Sequence, residues 1–230
     1  MLGRPASLTI DGPAGELEVV VEDPVGAPRG LAVIAHPHPL KGGTMDNKVV
    51  HTLVRAFVLA GWRAVRFNFR GVGRSESAWD EGRGETADML AVVAHHLSDP
   101  ALAAHPLALA GFSFGGHVAA QAAARLTQAA ADQPAVRAPA TLVLVSPATS
   151  NFDVPAVPAH TLVVQGEQDD VVPLASILDW ARPQQLPVTV VPGAGHFFHG
   201  QLGVLREVVS RHLRAEAASR AVASAVSAAP

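Results

Sequence analysis

Short apolar runs alternate with segments of helical periodicity along almost the whole chain, and this alternation constrains the fold more than any other feature. The run at 31–35 is apolar at every position, as in a strand buried on both faces of a sheet. The next segment, 47–60, spaces its apolar residues as a helix does and stops at Gly61. Strands separated by helices favour a mostly parallel sheet that is covered on both faces.

The same reasoning assigns the other elements. We predict strands at 7–10, 16–21, 31–35, 63–69, 107–111, 141–145, 161–164 and 187–191, and helices at 47–60, 85–97, 115–127, 174–181 and 202–214. The first two strands flank a turn-forming stretch and are predicted to form an antiparallel hairpin. We expect one α/β domain at 1–214, followed by an alanine- and serine-rich tail at 215–230 that is a frayed helical extension or a disordered end.

Composition excludes several classes of protein. The 230 residues include no cysteine, which rules out disulfide frameworks, thiolate zinc sites and cysteine nucleophiles. A net charge of −3 gives no basic surface for nucleic acid or an anionic membrane. No uncharged apolar stretch reaches the ~18 residues that a membrane span needs, and no signal-peptide core is present. We therefore expect a soluble, cytoplasmic protein, monomeric or homodimeric.

The clearest chemical motif is G-x-S-x-G at 111–115, between a predicted strand and a predicted helix. Such a tight turn holds Ser113 in a strained conformation and exposes its hydroxyl at the carboxyl edge of the sheet. The helix that begins behind the serine favours developing negative charge. The alternative is an ordinary glycine turn with an incidental serine.

A serine nucleophile needs a histidine base, and the base needs an orienting acid. The strand at 161–164 leads into a loop with Asp169 and Asp170, either of which lies at the carboxyl edge. The strand at 187–191 leads into a glycine-rich loop with His196, which can reach back over the sheet. Both candidates follow Ser113 in the chain order serine, acid, histidine.

These motifs together resemble the α/β-hydrolase superfamily. The stretches 36–48 and 67–75 resemble small lidless bacterial serine hydrolases of the dienelactone-hydrolase-like type, and the resemblance covers roughly residues 15–214. It implies an α/β-hydrolase fold with an eight-stranded, mostly parallel sheet in a three-layer α/β/α sandwich. It also implies a triad of Ser113, Asp169 and His196, with Asp170 as the alternative acid. Dienelactone hydrolases use a cysteine nucleophile, so that particular activity is not expected.

An oxyanion hole requires two N–H donors. One is expected from the backbone of Phe114, directly after the serine, and the other from the loop after the strand at 31–35. Pro37 and Pro39 have no N–H to give. The resemblance puts the second donor on His38, with Leu40 as the alternative.

The segment 147–159 is too short to form a cap domain, which predicts an open site. Loops near the serine then offer an apolar wall for substrate, and ordinary loop packing is an equal alternative for each residue. The candidates are Met45, Trp79, Phe114, Phe152 and Phe197.

A zinc site could be imagined from His36 and His38 together with His196 and His199. Neither loop spaces a carboxylate as a further ligand, so no metal is predicted. No G-x-G-x-x-G follows the first strand and no Walker lysine is present, so no nucleotide cofactor is predicted either.

The sequence thus predicts a carboxylesterase that acts on small or short-acyl esters through an acyl-serine intermediate. A thioesterase or a peptidase of the same fold would use the same triad. From another class, a binding or receptor protein can keep a hydrolase fold with little turnover.

Overall fold

The computed structural model describes residues 7–133 and 135–227. Its strands are β1 (Leu8–Gly12), β2 (Gly15–Glu22), β3 (Leu31–Ala35), β4 (Arg63–Phe67), β5 (Leu107–Phe112), β6 (Thr141–Val145), β7 (Leu162–Gly166) and β8 (Val188–Val191). Its helices are α1 (Lys48–Leu59), α2 (Arg83–Leu97), α3 (Pro100–Ala103), α4 (Phe114–Asp132), α5 (Leu174–Ala181) and α6 (Leu202–Ser227), with short 3₁₀ turns at Pro39–Lys41 and Arg182–Gln184.

The strands of this part of the chain form one sheet in the order β1-β2-β4-β3-β5-β6-β7-β8. The β1–β2 and β2–β4 pairs are antiparallel, and every other neighbouring pair is parallel. The predicted fold class, an eight-stranded, mostly parallel α/β sandwich, is therefore confirmed. After β3 the chain moves outward to β4 and then returns past β3 to β5. Loops diverge at such a reversal and leave a crevice at the carboxyl ends of the strands.

Each face of the sheet is buried under helices. Along β3, Val33 packs into the core beneath α2 and α4, whereas the next residue, Ile34, packs into the core beneath α1 and α6. This alternation follows from the two-residue period of a strand. All five residues of β3 are buried, because both of its faces are covered. The same coverage explains why the strand is apolar throughout.

Several predicted element ends differ from the structure; the helix predicted at 115–127, for example, runs to Asp132. The strand predicted at 63–69 ends at Phe67, because Asn68 and Phe69 turn into the site loops, where the Phe69 N–H donates to His36 Nε2 over 3.0 Å. The last helix continues past its predicted end at Arg214 to Ser227. Alanine favours helix there, and Arg220 pairs with Glu216 one turn earlier and lies over the Trp62 ring. Residues 228–230 of the predicted tail lie outside the described residues.

The connection from β6 to β7, residues 146–161, contains no helix or strand. It leaves the carboxyl edge of the central strands uncovered, as the short segment at 147–159 predicts. Among the helices described, none is both long enough and apolar enough to cross a lipid bilayer.

Candidate active site

Ser113 lies at the sharp turn between β5 and α4. Its backbone is left-handed, with φ 57° and ψ −119°, a conformation that is strained for a residue with a Cβ. Neighbouring backbone holds it there, since the Ser113 N–H donates to the Val145 carbonyl over 2.9 Å. The Ser113 carbonyl accepts from the N–H of Gly116 and of Ala148. Together these bonds fix the turn and aim the hydroxyl at the carboxyl edge of the sheet.

The glycines of the motif are required because backbone approaches them closely. A Cβ on Gly111 would lie 2.0 Å from the Gly115 carbonyl oxygen, and a Cβ on Gly115 would lie 2.4 Å from the Ala35 carbonyl oxygen. Both distances are far inside van der Waals contact. The elbow can therefore be this tight only with glycine at these two positions.

The structure brings Ser113, His196 and Asp169 into one hydrogen-bonded chain. His196 Nε2 lies 3.1 Å from Ser113 Oγ, and His196 Nδ1 lies 2.8 Å from Asp169 Oδ2. An ionised carboxylate accepts from Nδ1–H, which leaves Nε2 of a neutral ring free to accept the serine proton. All three residues are buried, so bulk water does not compete strongly for these bonds.

The carboxylate of Asp169 is held at both oxygens. Oδ1 accepts from the N–H groups of Val171 and Val172, at 3.0 and 2.7 Å, while Oδ2 accepts from Gln165 Nε2 at 3.1 Å. Burial by itself would raise the pKa of Asp169, but the hydrogen bonds from His196 and from the Val172 N–H outweigh it and lower this pKa. Asp169 is thus an anion at neutral pH. The neighbouring alternative, Asp170, is exposed.

Two backbone N–H groups near the serine are available to a ligand. Among the described residues, neither the Phe114 N–H nor the His38 N–H donates a hydrogen bond. The Leu40 N–H, in contrast, donates over 3.2 Å to His38 Nδ1, and the His38 side chain thereby caps the 3₁₀ turn at Pro39–Lys41. Of the two candidates in this loop, His38 is the one with a free donor.

A cleft of about 320 Å³ opens over Ser113. Phe114, Phe152 and Phe197 line it, as expected for an apolar wall. Met45 does not: it is buried, and its N–H donates to Asn68 Oδ1 over 2.9 Å. Trp79 stacks on the His38 ring, with ring centroids 4.5 Å apart, and borders a neighbouring depression instead. The structure therefore brings three of the five predicted wall residues, Phe114, Phe152 and Phe197, to the cleft.

Both ring nitrogens of His36 are engaged within the protein. Nδ1 donates to the Pro37 carbonyl over 2.6 Å and Nε2 accepts from the Phe69 N–H over 3.0 Å. Burial lowers the pKa of His36 to about 3, so the ring is neutral and joins two site loops. His196 is likewise engaged with Ser113 and Asp169. Within 7–133 and 135–227, no group of three or more metal-binding side chains is found.

Sequence reasoning missed two polar residues of the site. Gln165 is fully buried in β7 and contacts Asp169, and a buried glutamine inside an apolar strand was the only available signal. Lys41 borders the cleft, and as one of only two lysines in the chain it could have been noticed. Neither residue belongs to a spacing pattern that indicates chemistry.

The fold and this site define a hydrolase of the α/β class, and comparison with known proteins agrees. Residues 29–222 match the model of a family described as an alpha/beta hydrolase domain, so the chain belongs to that family. A serine hydrolase without a lid from Xanthomonas campestris is 36% identical, with 93% of this chain and 95% of that chain covered and a TM-score of 0.81.

Two other relatives extend the comparison. A serine hydrolase homologue from Coxiella burnetii is 39% identical, with 93% of this chain and 99% of that chain covered and a TM-score of 0.78. An uncharacterized protein of Rickettsia prowazekii is 29% identical over 217 residues, which cover 88% of this chain and 86% of that protein. The similarity therefore extends over nearly the full length of each chain.

Proposed function

We propose that the protein is a carboxylesterase that hydrolyses small or short-acyl esters through an acyl-serine intermediate. The observation that carries the proposal is the hydrogen-bonded chain from Ser113 through His196 to Asp169, at 3.1 and 2.8 Å. Similarity to structures described as serine hydrolases supports the same chemistry. The open cleft supports a small substrate, because the described residues form no cap domain over it that would bury a long acyl chain.

In the acylation step, Ser113 Oγ attacks the ester carbonyl carbon while His196 Nε2 takes the hydroxyl proton. The carbonyl oxygen becomes an oxyanion, which the N–H groups of Phe114 and His38 stabilise. The tetrahedral intermediate collapses, the carbon–oxygen bond to the alcohol breaks, and His196 gives its proton to the departing alcohol. Asp169 stabilises the charged imidazolium throughout.

Deacylation repeats the cycle with water. His196 removes a proton from water, whose oxygen attacks the acyl-serine carbonyl carbon. Collapse of the second intermediate releases the carboxylic acid and returns the proton to Ser113. No cofactor is required by this cycle.

A cytoplasmic location and a monomeric or homodimeric state stay predictions from the sequence.

The test is to treat wild type and Ser113→Ala with a fluorophosphonate probe and with p-nitrophenyl esters of increasing acyl length. We expect labelling and turnover of acetate and butyrate esters by wild type, and neither by the variant. Labelling of Ser113→Ala would show that another residue is the nucleophile. Wild type that is labelled but turns over no ester, thioester or peptide would favour the binding-protein alternative.

The same panel separates the enzymatic alternatives. Thioesters and peptide p-nitroanilides pass through the same acyl-serine, so only relative kcat/KM distinguishes them. We expect esters of matched acyl groups to give the highest kcat/KM, corrected for the uncatalysed rate. A higher corrected value for thioesters or peptides would replace carboxylesterase with that activity.

A further inference from the structure

Lys41 is the one charged side chain among the described residues that line the cleft. The other lining residues include no Asp, Glu or Arg, and most are apolar or glycine, such as Gly43, Phe114, Phe152, Val172 and Phe197. Asp169 lies behind His196 with its oxygens already occupied. The cleft therefore combines an apolar wall with a single cation.

Among the described residues, no carboxylate pairs with this cation. In the part of the chain that the structure describes, Lys41 takes part in no ion pair or side-chain hydrogen bond. The acidic residue of the same loop, Asp46, instead contacts Arg66 and His51, each at 3.5 Å. Lys41 is thus left available for an anion that comes from outside.

The backbone at Lys41 is firmly placed although its side chain is exposed. Lys41 ends the 3₁₀ turn at Pro39–Lys41, and its N–H donates to the His38 carbonyl over 3.0 Å. Gly43 donates to the same carbonyl, and a Cβ on Gly43 would lie 2.1 Å from the Pro37 carbonyl oxygen. The loop that carries the His38 N–H also carries Lys41, so the backbone places the lysine side chain within reach of the cleft edge.

The charge of Lys41 is felt inside the cleft. The pKa of His38 is lowered, first by burial and then by repulsion from the Lys41 ammonium. A cation at the edge of a cleft with apolar walls concentrates its field there and attracts anions. This field would stabilise an anionic group of a substrate at that edge while the ester group of the same substrate lies over Ser113.

We propose that the enzyme prefers esters that carry a carboxylate, and that Lys41 is the residue that recognises this carboxylate. The proposal deepens the proposed esterase function and rests on it. The carboxylate can belong to the acyl part, as in the monoester of a dicarboxylic acid, or to the alcohol part. The shared chemistry is an ester with one negative charge a few bonds from the scissile carbonyl.

Two matched substrate pairs test the preference. For the acyl side, mono-p-nitrophenyl adipate is compared with p-nitrophenyl 6-methylheptanoate, in which two methyl groups replace the carboxylate oxygens. For the alcohol side, 4-acetoxybenzoate is compared with 4-nitrophenyl acetate. The measured quantity is the ratio of kcat/KM for the anionic ester to kcat/KM for its neutral partner, in wild type and in variants.

We expect Lys41→Met to lower the ratio for at least one pair by about three- to fivefold, which is the effect expected from losing an exposed ion pair. Lys41→Glu should lower it by about tenfold or more, because repulsion replaces attraction. Lys41→Arg should keep the ratio near the wild-type value. The matched control is Lys48→Met, since Lys48 is the other lysine, is exposed and does not line the cleft.

Salt provides a second readout. Raising NaCl from 0.05 to 0.5 M should reduce the ratio in wild type but not in Lys41→Met, because screening acts only on a charge pair. Ratios that are equal in wild type, Lys41→Met and Lys41→Glu for both pairs would overturn the proposal while leaving the esterase intact. Failure of wild type to hydrolyse any of the four esters would instead count against the proposed function and, with it, this inference.

Discussion

Gln165 Nε2 donates to Asp169 Oδ2 over 3.1 Å, and the same oxygen faces His196 Nδ1 at 2.8 Å. Gln165 is fully buried at the end of β7, and its Nε2 also donates to the Val172 carbonyl over 2.7 Å. It therefore connects β7 to Asp169 and to Val172, both in the loop that follows this strand. We infer that Gln165 is a positioning residue, which sets the carboxylate orientation and so the angle of the imidazole.

We expect Gln165→Met to lower kcat/KM by about tenfold, because a buried hydrogen bond to a charged group is lost. Gln165→Glu should lower it further, since a second carboxylate beside Asp169 is a like charge at an isosteric position. Steady-state kinetics and the downfield ¹H resonance of the His196 ring measure the effect. If Gln165 only filled space, the isosteric glutamate would be the milder change, and that order would contradict the positioning role.

Asp169 and Asp170 are adjacent in sequence but differ in surroundings. Asp169→Asn should lower kcat by roughly 10²–10⁴, because the neutral amide no longer stabilises the imidazolium and can favour the wrong ring tautomer. Asp170→Asn should change kcat by less than about twofold, as expected of an exposed position. A larger loss in the second variant would identify Asp170 as the acid.

The His38 N–H can be removed without changing the backbone path. His38 has φ −53° and ψ 119°, angles that proline also adopts. His38→Pro removes the donor and the ring, whereas His38→Ala removes the ring and keeps the donor. We expect kcat of the proline variant to be about 10²–10³ lower than that of the alanine variant, the usual effect of an oxyanion donor. Equal activities of the two variants would place the second donor elsewhere in the loop.

His36 makes stability depend on pH. Burial lowers its pKa from 6.5 to about 3 in the folded state, so between these values the unfolded chain binds the extra proton. The neutral His36 therefore makes its full contribution to stability above pH 6.5. The free energy of unfolding falls as the pH drops from 6.5 toward 3. The loss is about 1.4 kcal/mol for each pH unit in that window.

Urea unfolding at pH 7 and pH 5 measures this loss in wild type and in His36→Gln. We expect the decrease in unfolding free energy on acidification to be about 2 kcal/mol smaller in the variant. His95→Gln, at an exposed position, controls for the removal of a histidine. Equal decreases in wild type and His36→Gln would mean that His36 is protonated in the folded state at pH 5.

The sequence by itself determined the fold class and the chemical candidates. The continuous apolar run of β3, buried on both faces of the sheet, and the helical spacing of α1 follow from local chain geometry, so they can be read directly from the residues. The glycines at 111 and 115 indicate a close backbone approach for the same reason. The chain order Ser113, Asp169, His196 resembles that of α/β-hydrolases, and this resemblance identified the three candidate triad residues.

Only the tertiary structure decided which of two candidate residues in the same loop faces the site. Asp169 and Asp170 have the same side chain, and His38 and Leu40 each have an N–H. The hydrogen bonds that separate them come from Val172, His196 and the 3₁₀ turn. Lys41 borders the cleft only because loops distant along the chain, which carry Ser113, Phe152 and Phe197, meet its own loop there. Such relationships depend on where the loops of β3, β5, β7 and β8 meet, and no local spacing in the sequence encodes that position.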